Sequence, residues 1–173
     1  MDLTEKIRTV PNWPIEGVMF RDITTVLQDP PAFRQVIDLL YGRYADMEID
    51  KIVAIDARGF IFGSVLAYKL NVGLVPVRKQ GKLPYRTVSV EYELEYGTDT
   101  LEIHEDAIEA GEKVVIIDDL IATGGTVSAT AELIERLGGE IVECAFVVEL
   151  PDLHGREKIA GLNVFALLEF HGE

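Results

Sequence analysis

A single cysteine, Cys144, leaves this 173-residue chain unable to close an internal disulfide. It lies in the apolar run IVECAFVVEL, which predicts a buried, inert thiol rather than a nucleophile. Bases are scarce against acids: 16 Lys and Arg face 30 Asp and Glu, for a net charge of −14. A duplex-binding surface needs a basic footprint, so nucleic acid and anionic membrane are poor partners for the surface as a whole. No apolar stretch is long enough to span a membrane, and the N-terminal MDLTEKIRTV carries no apolar signal core. The expectation is a cytoplasmic protein. His104, His154 and His171 are scattered without metal-ligand spacing, so no zinc site is expected. GxGxxG and GxxxxGK(S/T) are missing, which removes the dinucleotide fingerprint and the ordinary nucleotide P-loop. FGSVL is no G-x-S-x-G elbow, so no covalent intermediate is expected.

What is present is globular. Hydrophobic residues make up 48% and charged residues 27%, and the length suits one domain covering residues 1–173. Residues 1–30, with Pro11, Pro14 and Pro30, read as irregular. Residues 31–46 read as a helix with Phe33, Val36, Ile37 and Leu40 on one face. Strands are expected at 51–55, 72–77, 113–118, 140–150 and 163–168, and helices at 60–70 and 126–137. The alternating segments 88–97 and 100–104, joined through YGTD, predict a hairpin arm. Strand–helix alternation predicts an α/β fold with a mainly parallel central sheet flanked by helices. Ligands of such sheets bind in the loops beyond the carboxyl ends of the strands.

The most informative stretch is VVIIDDLIATGGT, residues 114–126. An apolar strand runs into Asp118 and Asp119, then into a glycine loop that opens a helix. Gly124 and Gly125 let the backbone turn tightly and present its N–H groups, and Thr123 and Thr126 add hydroxyls. With the positive end of the helix, Ala122 to Thr126 form a cradle for one phosphate. Ionised aspartates accept hydrogen bonds only, so they suit the vicinal hydroxyls of a ribose. A ribose 5-phosphate satisfies acids and cradle together without bringing them into contact.

This stretch resembles the phosphoribosyl pyrophosphate signature of the type I phosphoribosyltransferases. With GVMFRDIT (17–24), DARGFIFG (56–63), VPVRKQGKLP (75–84), YELEYGTDTLEIH (92–104) and ELPDLHGREKI (149–159), nearly the whole chain is similar to the adenine phosphoribosyltransferases. The resemblance implies transfer of a 5-phosphoribosyl group from 5-phosphoribosyl 1-pyrophosphate to adenine, giving AMP and pyrophosphate in purine salvage. It implies a small N-terminal hood over the base (1–30) and a flexible loop with a β-hairpin lid arm (78–104). It also implies a homodimer, and Mg²⁺ carried by the substrate rather than bound directly by protein ligands. Two alternatives stay open: a phosphoribosyltransferase for xanthine or hypoxanthine, and a non-catalytic sensor of phosphoribosyl pyrophosphate on the same fold.

Further site residues follow from the resemblance. Arg58 reads, from its own surroundings, either as an anion ligand or as a helix-start arginine paired with Asp56; the family assigns it to pyrophosphate. Asp56 stands where the family often has glutamate. Arg78, Lys79, Lys82 and Arg86 form a basic cluster in an acidic chain, and Arg78, Lys79 and Lys82 are expected to neutralise pyrophosphate. Glu95 reads alone as a solvated edge-strand carboxylate; the resemblance makes it the group that handles the adenine proton, with Arg58 as its catalytic partner and Tyr96 as a lid contact. Phe20 reads by composition as core; the resemblance sets it against one face of adenine and Leu150 against the other, with the peptides of Met19 and Arg21 at the base edge.

Overall fold

The computed structural model describes residues 1–94 and 97–172. The N-terminal segment is more regular than its prolines suggest. Strands β1 (Arg8–Pro11) and β2 (Met19–Asp22) pair antiparallel with Val10 opposite Phe20, and a short helix α1 (Thr24–Leu27) follows. Four-residue strands are too short to show alternation in sequence, so only pairing reveals them. Helix α2 (Pro30–Tyr44) starts one residue earlier than expected. The Asp29 side chain accepts from the Ala32 N–H at 3.1 Å, and Pro30 occupies the first turn, where a missing N–H does no harm.

The central unit continues with β3 (Lys51–Ile55), α3 (Gly59–Leu70), β4 (Gly73–Lys79), β5 (Thr87–Glu93) and β6 (Thr98–His104). It closes with β7 (Lys113–Ile121), α4 (Gly125–Leu137), β8 (Glu140–Glu149) and β9 (Val164–Glu169). The seven strands lie in the order β5-β6-β4-β3-β7-β8-β9. Strands β4, β3, β7, β8 and β9 are mutually parallel; β6 runs antiparallel to both β4 and β5, so the expected hairpin arm forms one edge of the sheet. The architecture is the expected α/β one.

Both faces of the parallel strands are covered. Ile52, Ala54, Val115 and Ile117 pack towards α2 and α3, while Val53, Ile55, Val114 and Ile116 pack with α4 and the hairpin. Strands buried on both sides must be apolar throughout, which is why KIVAI and VVII carry no alternation. Helix α3 sits very close to the sheet: a Cβ on Gly63 would lie 2.7 Å from the Ala54 Cβ. Among the described residues no helix is long and apolar enough to cross a membrane.

Two boundaries matter for function. Strand β4 runs on through Arg78 and Lys79, which pair with Glu102 and Leu101 of β6, so these cations belong to a strand end and not to the loop assigned to them from sequence. Strand β7 runs on through Asp118 and Asp119 to Ile121, because Leu120 and Ile121 still find partners, Val148 and Glu149, on β8.

Candidate active site

The carboxyl ends of β3, β4, β7 and β8 converge. The turn from β7 into α4 is made by Ala122, Thr123 and Gly124. Gly124 has φ +82°, a left-handed conformation suited to glycine, and its carbonyl accepts from the Ser128 N–H at 3.0 Å. No side chain caps α4, so the amides of its first turn are left for a ligand. They border a cavity of about 110 Å³ lined by Asp118, Phe146 and the run from Leu120 to Val127, which includes Ala122, Thr123, Gly124, Gly125 and Thr126.

The two aspartates stand differently. Asp118 lines the cavity, and its carboxylate accepts from the Asp119 N–H at 2.8 Å. Burial, and then the adjacent Asp119 charge, push the Asp118 carboxyl well above its ordinary range. Asp119, only 5% exposed, accepts from Arg58 Nε at 2.5 Å. Arg58 begins α3, and Gly59 beside it lets that helix reach β7: a Cβ there would come within 2.8 Å of the Ile117 carbonyl. Burial draws the Arg58 guanidinium down, but the facing Asp119 charge more than offsets this and holds it above its ordinary value.

A second cavity of about 310 Å³ lies under the β1–β2 ribbon. It is lined by Met19, Phe20, Arg21 and Leu150, as expected, and by Arg58. Trp13 packs edge-on against Phe20 with ring centroids 4.4 Å apart, and the Arg21 guanidinium lies 4.7 Å from the Phe170 ring centroid. Sequence reasoning missed Leu120 and Leu153 here. Leu120 had a signal: it falls between the acid pair and the glycine loop. The two cavities share Leu120 and Ala122 as lining residues, so both border the end of β7.

The basic cluster is only partly gathered. Arg78 Nε donates to Asp56 at 2.9 Å, and its Nη1 donates to the Lys82 carbonyl at 3.3 Å. Asp56 thus pairs with Arg78, not with Arg58. Lys79 pairs with Asp99, and that hydrogen bond holds the Lys79 ammonium above its ordinary value. The Lys82 side chain is exposed. Glu95 and Tyr96 lie outside the described residues.

A strand–acid–glycine-loop–helix turn thus lies beside an apolar pocket, and the phosphoribosyl transferase domain family matches residues 22–167. The chain is 68% identical, over the full length of both proteins, to adenine phosphoribosyltransferase of Desulfosudis oleivorans. The structure of the Thermoanaerobacter pseudethanolicus enzyme of that name superposes with a TM-score of 0.93 at 51% identity, covering 97% of this chain and 98% of the other. The Saccharomyces cerevisiae enzyme, crystallised with an imino-altritol bisphosphate and adenine, superposes at 0.91 with 44% identity and 96% of each chain covered. The chain belongs to the adenine phosphoribosyltransferase family.

Proposed function

We propose that this protein transfers the 5-phosphoribosyl group of 5-phosphoribosyl 1-pyrophosphate to adenine, releasing pyrophosphate and forming AMP for purine salvage. The observation that carries this is the adjacency of the small cradle and the larger apolar pocket, which share Leu120 and Ala122 as lining residues. A nucleoside monophosphate has the same division: a phosphate at one end, a flat base at the other, and a sugar between.

The residues then take complementary roles. Ala122 to Thr126 hold the 5-phosphate through amides and hydroxyls. Asp118 and Asp119 accept from the ribose hydroxyls. Arg58, Arg78, Lys79 and Lys82 offset the charge of the pyrophosphate as it departs. Because Arg58 and Arg78 are held by Asp119 and Asp56, ligand binding exchanges one acceptor for another. Phe20 and Leu150 flank the purine, and the peptides of Met19 and Arg21 read its edge. An acceptor carbonyl there favours a 6-amino over a 6-oxo group, because a buried mismatch leaves polar atoms unpaired.

In the reaction the anomeric C–O bond to pyrophosphate breaks and the C–N9 bond forms. The N9 proton passes to Glu95, with Tyr96 closing over the site. Positioning of the two reactants supplies much of the rate. The pyrophosphate and ribose oxygens of the substrate are hard donors that suit Mg²⁺, an ion that keeps most of its waters, so it would arrive with the substrate and take no direct protein ligand. When bound, Mg²⁺ would offset charge on the pyrophosphate. We further propose a cytoplasmic homodimer, with the 1–30 segment as hood and 78–104 as lid.

Incubation of the protein with adenine, 5-phosphoribosyl 1-pyrophosphate and Mg²⁺ is expected to yield AMP by chromatography, with hypoxanthine and xanthine consumed far more slowly. Faster consumption of a 6-oxo purine would reassign the base. Binding without turnover of any base would make the protein a sensor. Glu95→Gln is expected to lower turnover more than adenine affinity; normal steady-state turnover would remove Glu95 from the proton path.

A further inference from the structure

The segment between β8 and the last strand contains more than the base-stacking Leu150. Its path is closed on itself by one ion pair. Glu149, the last residue of β8, is 5% exposed, and its carboxylate accepts from Arg156 Nε at 2.7 Å and Nη2 at 2.5 Å. Paired N–H donors from one guanidinium fix orientation as well as distance, which a single ammonium does not. Arg156 Nη1 also donates to the Val164 carbonyl at 3.3 Å, tying the loop to β9.

Within that closure the chain is tightly constrained. The Leu150 N–H donates to the Ile121 carbonyl at 3.0 Å, so the pocket residue hangs from the strand end that begins the cradle. The Leu153 N–H donates to the Leu150 carbonyl at 3.1 Å, and the His154 N–H to the Pro151 carbonyl at 3.0 Å. Gly155 then presses on the cradle: a Cβ on Gly155 would lie 2.3 Å from the Ala122 carbonyl oxygen, and one on Gly124 would lie 2.2 Å from the Gly155 carbonyl oxygen. Both Leu150 and Leu153 line the apolar pocket.

We propose that Arg156 is a positioning residue for the purine pocket: its two-pronged grip on Glu149 closes residues 150–156 into a loop that holds Leu150 and Leu153 against the base. This rests on the reading of that pocket as the adenine site. Arg156 does not line the cavity and acts only through the leucines. The cradle touches the same loop at Gly155, but it also has the β7–β8 ladder through Ile121 and the bond from the Ser128 N–H to the Gly124 carbonyl, so loosening the loop is expected to disturb it less than the pocket.

The test compares Michaelis constants of wild type, Arg156→Ala and Arg156→Lys for both substrates. Arg156→Ala is expected to raise the adenine KM about tenfold while moving the phosphoribosyl pyrophosphate KM less than about twofold. Arg156→Lys, a point charge without the fork, is expected to fall between. Equal rises for both substrates would mean a general structural role, and no rise would mean no role; either overturns the proposal. Should Arg156→Ala fail to fold, Glu149→Gln carries the same comparison and the same expected split. Amide hydrogen exchange is read on the same variants. Leu153 and His154 are expected to lose protection while β7 keeps it, and unchanged protection overturns the clamp even if wild type forms no AMP. Absence of AMP from wild type with the exchange result intact would instead defeat only the functional reading.

Discussion

Replacing Asp119 with asparagine separates the acid's work on the ligand from its work on the fold. The substitution keeps the shape and removes the charge of a carboxylate that is 5% exposed and bonded to Arg58 at 2.5 Å. The Arg58 side chain is 50% exposed, so water takes over much of what it loses. The folding penalty is therefore about 0–1 kcal/mol. A ribose hydroxyl donating to a carboxylate makes a charge-assisted hydrogen bond worth about 1.5–3 kcal/mol. That corresponds to about 10- to 150-fold in Kd. Ribose 5-phosphate, which has the sugar but no pyrophosphate, is the discriminating titrant in calorimetry. Its affinity is expected to fall by that factor while the melting temperature moves by less than about 4 °C. Inorganic pyrophosphate should bind at least as well as before, since Arg58 is released from its internal partner. Unchanged ribose 5-phosphate affinity would refute the assignment of Asp119 to the sugar.

Asp118 supplies a prediction of opposite sign for stability. Its folded carboxyl titrates above the ordinary value of 3.8, so its contribution to stability is fully present below that value and lost as pH rises through the raised one. Asp118→Asn should therefore raise the melting temperature at neutral pH and leave it little changed in acid, while weakening ribose 5-phosphate binding; a lower neutral melting point would contradict this. Gly124→Ala combines a φ of +82° with a Cβ 2.2 Å from the Gly155 carbonyl, whereas Gly81→Ala has a similar φ of +80° and open space around it. Both carry the left-handed penalty of about 1–2 kcal/mol. Only Gly124→Ala should also lose ribose 5-phosphate binding, and equal binding by the two variants would argue against the close-packed cradle. Cys144 is fully buried and its thiol is pushed up to about 12 by burial, so a disulfide-exchange reagent at mildly alkaline pH should release no chromophore from the native protein. Rapid release would place the thiol at a surface.

Much of the core was legible because strands buried on both faces leave an unbroken apolar signal. KIVAI was placed at its observed bounds, and the glycine pair after α4 marked its end. The N-terminal ribbon was missed because pairing, not local composition, makes it. The strands run past their expected ends through Arg78 and Lys79 and through Asp119 to Ile121, because polar residues end an apolar run in sequence while the ladder continues as long as a neighbour offers partners.

For the site the division is similar. The order of residues alone determined the strand–acid–glycine-loop–helix turn, since acids, glycines and helix start are contiguous in the chain and their chemistry is local. Tertiary structure decided which charges face one another. Arg58 pairs with Asp119 and Arg78 with Asp56, pairings across 61 and 22 residues that no spacing rule anticipates. It also decided that Leu120 and Leu153 join Phe20 and Leu150 around one pocket, because the β1–β2 ribbon, β7 and the loop after β8 meet only when the sheet brings their ends together. Contiguous chemistry is written in one dimension; shared cavities and opposed charges exist only once the backbone has paid its entropy to fold.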